Sequence, residues 1–227
     1  MATVDPISPA VQDYAKAVYA LEARGTGAVS TNDLAERLGV TPGSASAMVR
    51  KLSEVGLVEH EPYHGVRLTQ KGRRVALEVL RHHRLIELFL AEELGMPWDR
   101  VHAEAEVLEH AISEDLEQLI ADRLGHPKLD PHGDPIPTEG FEIDERPTRS
   151  LDELSPGAVG RFVRVSDSEP EMLRYLAEQG IALGDHLRVT GRQPFGGPVF
   201  VSVGEREQPL GGDLARAMRI ELEEAGR

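Results

Sequence analysis

The 227-residue chain contains no cysteine. That absence excludes disulfides, thiolate metal sites and cysteine nucleophiles together, so any bound metal must be held by oxygen and nitrogen. No run approaches the roughly 18 apolar residues of a membrane span, so no membrane partner is expected. The residues after Met1 carry no basic stretch leading into an apolar one; a signal peptide is not expected, and the chain reads as cytoplasmic. Positive charge is also scarce, with 25 Lys and Arg against 39 Asp and Glu and a net charge of -14. The deficit is uneven. Residues 1–74 hold nine basic and eight acidic side chains, whereas the remainder holds 16 and 31. An acidic body of this kind repels polyanions until something neutralises it.

Apolar spacing places a helix over residues 10–24, with Val11, Tyr14, Ala15, Val18 and Leu21 on one face. Ser30 opens a capping-box pattern before a short helix that Gly39 ends. Thr41 suits an N-cap and Pro42 the first helical position of the next helix, whose stripe is Ala45, Met48, Val49 and Leu52. Two short strands, 57–61 and 65–69, flank a turn at Pro62, Tyr63 and His64. This order is that of a winged helix-turn-helix. Thr69 then caps a long helix reaching about Leu94, Pro97 starts another to about Ile112, and Ser113 caps a third ending at Gly125. Residues 126–157 are rich in proline and read as a tether. Beyond them, alternating strands separated by Gly and Pro indicate a small β-barrel with one helix near 169–179.

A recognition helix enters the major groove by its N-terminal end. The candidates for base or phosphate contact there are Thr41, Pro42, Ser44 and Ala47, followed by Arg50 and Lys51, with Arg67 on the wing. No acidic residue lies between Thr41 and Ser53. The small side chains at the tip predict that DNA shape and half-site spacing carry much of the specificity.

On the helix after Pro97, His102, Glu106, Glu109 and His110 fall within an arc of about 100°. Such a face is unfavourable unless solvated or neutralised, and a divalent cation does the latter well. His83 and Glu87 share a face of the preceding helix, and Asp13 sits on the first. Asp13, Glu106, Glu109 and His110 are therefore one candidate site, and His83, Glu87 and His102 another. A single Glu/His pair on a helix is ordinarily surface; it is the number of mutually consistent pairs that favours a metal. No paired Glu-x-x-His motif, Ser/His/Asp arrangement or phosphate-binding loop points to an enzyme or a small-molecule substrate.

The segments 13–22, 41–58, 68–74, 82–90 and 101–117 together resemble the diphtheria-toxin-repressor family of metalloregulators, with a weaker likeness through 133–137 and the barrel. The resemblance implies a homodimer that binds palindromic double-stranded operator DNA when metal-loaded and represses metal-uptake genes. It implies a primary site of Asp13, Glu106, Glu109 and His110, and an ancillary site of His83, Glu87, His102 and a barrel carboxylate aligned at Glu169. Iron-sensing members carry Met and Cys where this chain has Asp13 and Glu106. Hard carboxylates favour Mn²⁺, with Fe²⁺, Co²⁺ and Zn²⁺ as alternatives. Lys16 stands where two-domain manganese sensors have a further carboxylate, which argues for two separated sites, and Met172 falls where iron sensors place a Gln ligand.

The expected architecture is mainly α with a small β part: a winged helix-turn-helix over 1–74, a helical metal-binding and dimerisation domain over 75–142, a linker over 143–157 and a Src-homology-like barrel over 158–227. The expected function is a Mn²⁺-dependent repressor. The alternatives are an Fe²⁺-responsive member of the same family and a winged-helix regulator with a non-metal effector.

Overall fold

Ser30 and Thr41 open the helices that the sequence assigns to them. In the computed structural model, which describes residues 7–25, 27–61 and 65–223, Ser30 Oγ accepts from Asp33 N at 3.0 Å and Thr41 Oγ1 from Ser44 N at 3.2 Å. Each side chain satisfies an amide that the helix itself leaves unpaired. Helices α1 (Pro9–Arg24), α2 (Thr31–Arg37) and α3 (Pro42–Glu54) follow one another, with Pro42 inside the first turn of α3. Gly39 and Gly56 end α2 and α3 at φ 63° and 72°. Strands β1 (Val58–Glu61) and β2 (Gly65–Leu68) pair antiparallel, Val58 opposite Leu68 and His60 opposite Val66. The expected turn at 62–64 lies outside the described residues. Fully buried Leu34, Ala45, Val49, Leu52 and Val66 fill the core beneath.

These elements belong to the first of two compact units, which comprises 1–83, 109–112 and 137–142. Helix α4 (Gln70–Glu92) begins in it. Thr69 Oγ1 caps α4 by accepting from Gly72 N at 3.0 Å. A Cβ on Gly72 would lie 1.9 Å from the Leu57 carbonyl oxygen, so the helix passes the base of the wing at a distance only glycine permits.

The second unit holds 84–108, 113–136 and 143–227. The single helix expected from Pro97 to Ile112 is shorter: α5 covers only Val101–Leu108. Helix α6 (Glu114–Arg123) is capped by Ser113, as expected. Leu85, Leu88, Ile120, Ala121 and Ile136 form a small core here.

The segment after α6 is not a tether. His132 is fully buried, and Asp130 and Ile136 nearly so. Its backbone is satisfied locally: Asp130 Oδ1 accepts from His132 N at 2.8 Å and Asp134 N at 2.9 Å, and Leu129 bridges Pro135. Val165 N donates to the His132 carbonyl at 3.0 Å. Gly133, at φ 85°, would push a Cβ to 2.0 Å from the Val163 carbonyl oxygen.

The barrel-like sheet is antiparallel, in the order β3-β8-β4-β5-β6-β7. Its strands are β3 (Arg149–Ser150), β4 (Val159–Val165), β5 (His186–Arg192), β6 (Val199–Val203), β7 (Arg206–Leu210) and β8 (Met218–Leu222). Irregularities at Phe162/Arg164 and Val189/Gly191 bend it. Helix α7 (Pro170–Gln179) contributes Leu173 and Leu176 to its core, and the short α8 (Gly212–Ala217) leads into β8. Leu151 and Leu154 are buried in the same core, so the packed body begins before the expected linker ends. Among the described residues no helix is long and apolar enough to cross a membrane.

Candidate metal centre

The side chains of Asp13, Glu109 and His110 converge in the first unit, with one ligand-capable atom of each within 4.8 Å of the others. Asp13 comes from α1; Glu109 and His110 come from the turn after α5. His110 Nε2 is 2.8 Å from Asp13 Oδ1 and 3.4 Å from Glu109 Oε1. Its other nitrogen, Nδ1, is 2.7 Å from Gln12 Oε1. An amide oxygen only accepts, so Nδ1 carries a proton and Nε2 is the nitrogen turned to the carboxylates. Glu109 is wholly buried; its Oε2 lies 2.5 Å from His83 Nδ1 and its Oε1 2.6 Å from Lys16 Nζ. His82 Nδ1 is 3.1 Å from the Glu109 carbonyl oxygen and ties the turn to α4. Burial raises the Asp13 pKa, outweighing the opposite pull of His110 and Lys16. Burial pushes Glu109 the same way, but the His83 hydrogen bond and Lys16 overcome it and hold this carboxylate below its ordinary range.

A second set lies in the second unit around the fully buried Glu87. His102 Nδ1 is 3.2 Å from Glu87 Oε1 and 2.8 Å from Asp167 Oδ2. On the other side, His132 Nδ1 is 3.9 Å from Glu87 Oε2, and Asp130 completes a group within 4.8 Å. His132 Nε2 donates to the Trp98 carbonyl at 2.7 Å, and the two rings stack with centroids 6.1 Å apart. The Asp167 and Glu87 bonds raise the His102 pKa to about 10. For His132, burial works the other way, yet its interactions with Glu87 and Asp130 raise it to about 9. Burial raises Asp130, and His102 holds Asp167 low against the burial it experiences. His132 Nδ1 is buried and meets no hydrogen-bond partner among the described residues. A nitrogen so oriented, beside buried carboxylates, suits a cation with oxygen and nitrogen ligands.

The expected residues divide accordingly. Asp13, Glu109 and His110 come together, as do Glu87 and His102. His83 is bonded to Glu109 of the first set. The Glu106 side chain is 43 % exposed, with Oε1 3.8 Å from His102 Nε2. Glu169 is exposed at the start of α7 and belongs to no cluster among the described residues; Asp167, two residues earlier in the turn after β4, brings a carboxylate to the group of Glu87 and His102. Met172 packs against the barrel core. Asp130 and His132 are hidden in the sequence because their segment reads as a tether, although an Asp-x-His spacing beside a glycine is a signal in itself. The chain also carries His-Glu-Pro-Tyr-His at 60–64, the H-E-x-x-H pattern of zinc hydrolases. That chemistry needs both histidines on one helical face. Here His60 and Glu61 end strand β1, and 62–64 lie outside the described residues.

Thr41, Pro42, Ser44, Ala47, Arg50, Lys51 and Arg67, the candidate DNA contacts, are all exposed.

A winged helix-turn-helix joined to helices bearing buried carboxylate and imidazole clusters defines a metal-responsive DNA-binding protein. Comparison with known proteins agrees. Residues 7–66 match the iron dependent repressor N-terminal DNA binding domain, 69–138 the iron dependent repressor metal binding and dimerisation domain, and 149–222 the FeoA domain. The iron-dependent repressor IdeR of Mycobacterium tuberculosis is 31% identical over 221 residues, covering 92% of this chain and 95% of its own. A solved manganese-dependent transcriptional repressor in complex with manganese is 44% identical with a TM-score of 0.89, covering 94% of this chain and 100% of its own. The manganese regulator SloR is 32% identical with a TM-score of 0.78, covering 94% and 98%. The chain belongs to the diphtheria-toxin-repressor family of metal-dependent transcriptional repressors. The members compared are DNA-binding regulators and not enzymes.

Proposed function

We propose that this protein is a cytoplasmic, Mn²⁺-activated repressor that binds palindromic operator DNA as a homodimer and controls metal-uptake genes. The observation that carries the reading is the meeting of Asp13, on the helix that leads into the helix-turn-helix, with Glu109 and His110. This trio is the proposed primary site, with Glu106, three residues before Glu109, as a further candidate ligand. Glu87, His102, Asp130, His132 and Asp167 are the proposed second site, and His83 supports Glu109. Donors limited to carboxylate and imidazole favour Mn²⁺ among family metals, since no soft ligand is offered. The similarity to a repressor solved with manganese points the same way.

A divalent ion would supply positive charge and a fixed bond between α1 and the turn at 109–110. The protein does the rest. Gln12 orients His110, His82 and His83 hold Glu109, and α1 carries Asp13 as part of the DNA-binding core. Fixing α1 sets the attitude of α3, whose N-terminal residues meet base edges while Arg50, Lys51 and Arg67 meet phosphates.

The test is selection of fragmented genomic DNA by chelator-stripped protein, with and without micromolar Mn²⁺. Enrichment of a few palindromic promoter sites only with Mn²⁺ is expected. Equal enrichment without metal would leave the winged helix in place and remove the gate. Enrichment only with Fe²⁺ would assign the protein to the iron-responsive alternative.

A further inference from the structure

Lys16 lies three residues after Asp13 on α1, close to one helical turn, so both side chains leave the same side of the helix. Its Nζ is 2.6 Å from Glu109 Oε1, with the Lys16 side chain 16% exposed and that of Glu109 0%. The other carboxylate oxygen faces His83 Nδ1 at 2.5 Å. Both oxygens of a fully buried carboxylate are therefore engaged by the protein's own donors. A buried carboxylate needs such partners. Yet Oε1 is also the Glu109 oxygen nearest His110 Nε2, at 3.4 Å, and so it faces the proposed primary site. An ammonium has no lone pair and cannot become a ligand. It can only share the carboxylate with a metal ion, at the expense of close repulsion, or give it up.

We propose that Lys16 is a tethered competitor cation: it neutralises Glu109 in the metal-free protein and so sets the metal concentration at which the primary site fills. The proposal rests on the reading of Asp13, Glu109 and His110 as that site. Its consequence is that α1 is joined to the Glu109 turn in the metal-free protein as well. Metal then replaces one bond between α1 and the turn by another of different geometry. The switch is an exchange of cations on Glu109.

The test is a Mn²⁺ titration of full-length Lys16→Met without DNA, reading free aquo-Mn²⁺ by electron paramagnetic resonance. The quantity compared is the component of the isotherm that Asp13→Ala removes. Loss of a positive charge that shares the Glu109 carboxylate with a dication is expected to tighten this Kd by about tenfold or more even at the dielectric constant of water. The metal-free variant should melt lower than wild type and recover with Mn²⁺, while Lys16→Arg should keep the wild-type Kd. If Lys16→Met does not fold without metal, Lys16→Gln carries the same comparison. An unchanged or weaker Kd in a folded variant overturns the competitor role alone. An isotherm that Asp13→Ala leaves untouched overturns the primary-site reading beneath it.

Discussion

Raising the pH from 6.5 to 7.5 is expected to tighten Mn²⁺ binding at the Glu87 set by about a hundredfold. The perturbation acts on His102 and His132, whose pKa values in the metal-free protein are raised to about 10 and about 9. For a histidine, a raised pKa means that the imidazolium is favoured at neutral pH. An imidazolium has no lone pair to give, so each ring must lose a proton before it can ligate. His102 is 35% exposed on its side chain, so water screens part of its interaction with Asp167. Half of the shift would still keep that ring charged at pH 7.5. Below both pKa values each released proton contributes about 1.36 kcal/mol per pH unit, so two contribute about 2.7 kcal/mol. Burial of Asp130 raises its pKa as well, which steepens the dependence wherever that carboxyl is protonated. The assay is calorimetric titration of chelator-stripped protein in buffers of different ionisation enthalpy, which counts protons released per ion. Trp98, the single tryptophan of the chain, stacks on His132 and should report the same isotherm by fluorescence. A change of less than tenfold per pH unit, or release of less than one proton per ion, would refute the reasoning.

Other perturbations separate the remaining parts. Asp13→Ala is expected to leave dimers that sediment normally but no longer shift operator DNA on addition of Mn²⁺. Glu106→Cys should move activation toward Fe²⁺, Co²⁺ or Zn²⁺, checked by operator binding across a metal series; an unchanged order would show that Glu106 does not set preference. Gly133→Ala forces a Cβ against the Val163 carbonyl at a positive φ, and should destabilise the protein by about 2 kcal/mol or more, seen as a lower Tm and weaker Trp98 quenching by Mn²⁺. Lys51→Ala should weaken binding to all sequences alike and reduce the slope of log K against log salt by about 2, roughly one for each protomer of the dimer.

The DNA-binding half was legible because its signals are local. Ser30, Thr41 and Ser113 cap the helices that their side chains announce. The Ala45, Val49 and Leu52 stripe is buried where period 3.6 puts it. The Asp13, Glu109 and His110 grouping was legible for a related reason: each partner sits on or beside an amphipathic helix. Asp130 and His132 were not, since a turn that satisfies its backbone with its own aspartate has no periodicity to read and its prolines mimic a linker. Asp167 and Glu169 differ by two residues in a turn, where alignment has no register to hold it. Nor does spacing reveal that His83, four residues before Glu87, also bonds Glu109. That depends on the chain leaving α5 at Leu108 in place of continuing to Ile112.

The close passage of Gly72 over Leu57 has a mechanical side. The Leu57 carbonyl accepts from Thr69 N at 3.0 Å and from Thr69 Oγ1 at 3.2 Å, so the base of the wing is geared to the first turn of α4 without slack. From Gly72 the same helix runs unbroken to His82 and His83, which grip Glu109, a span of about 16 Å at 1.5 Å per residue. The hairpin and the grip are thus two fittings on one stiff rod. A roll of that rod by a few degrees would carry the two paired strands sideways with it, and the leverage comes from the length of the strands.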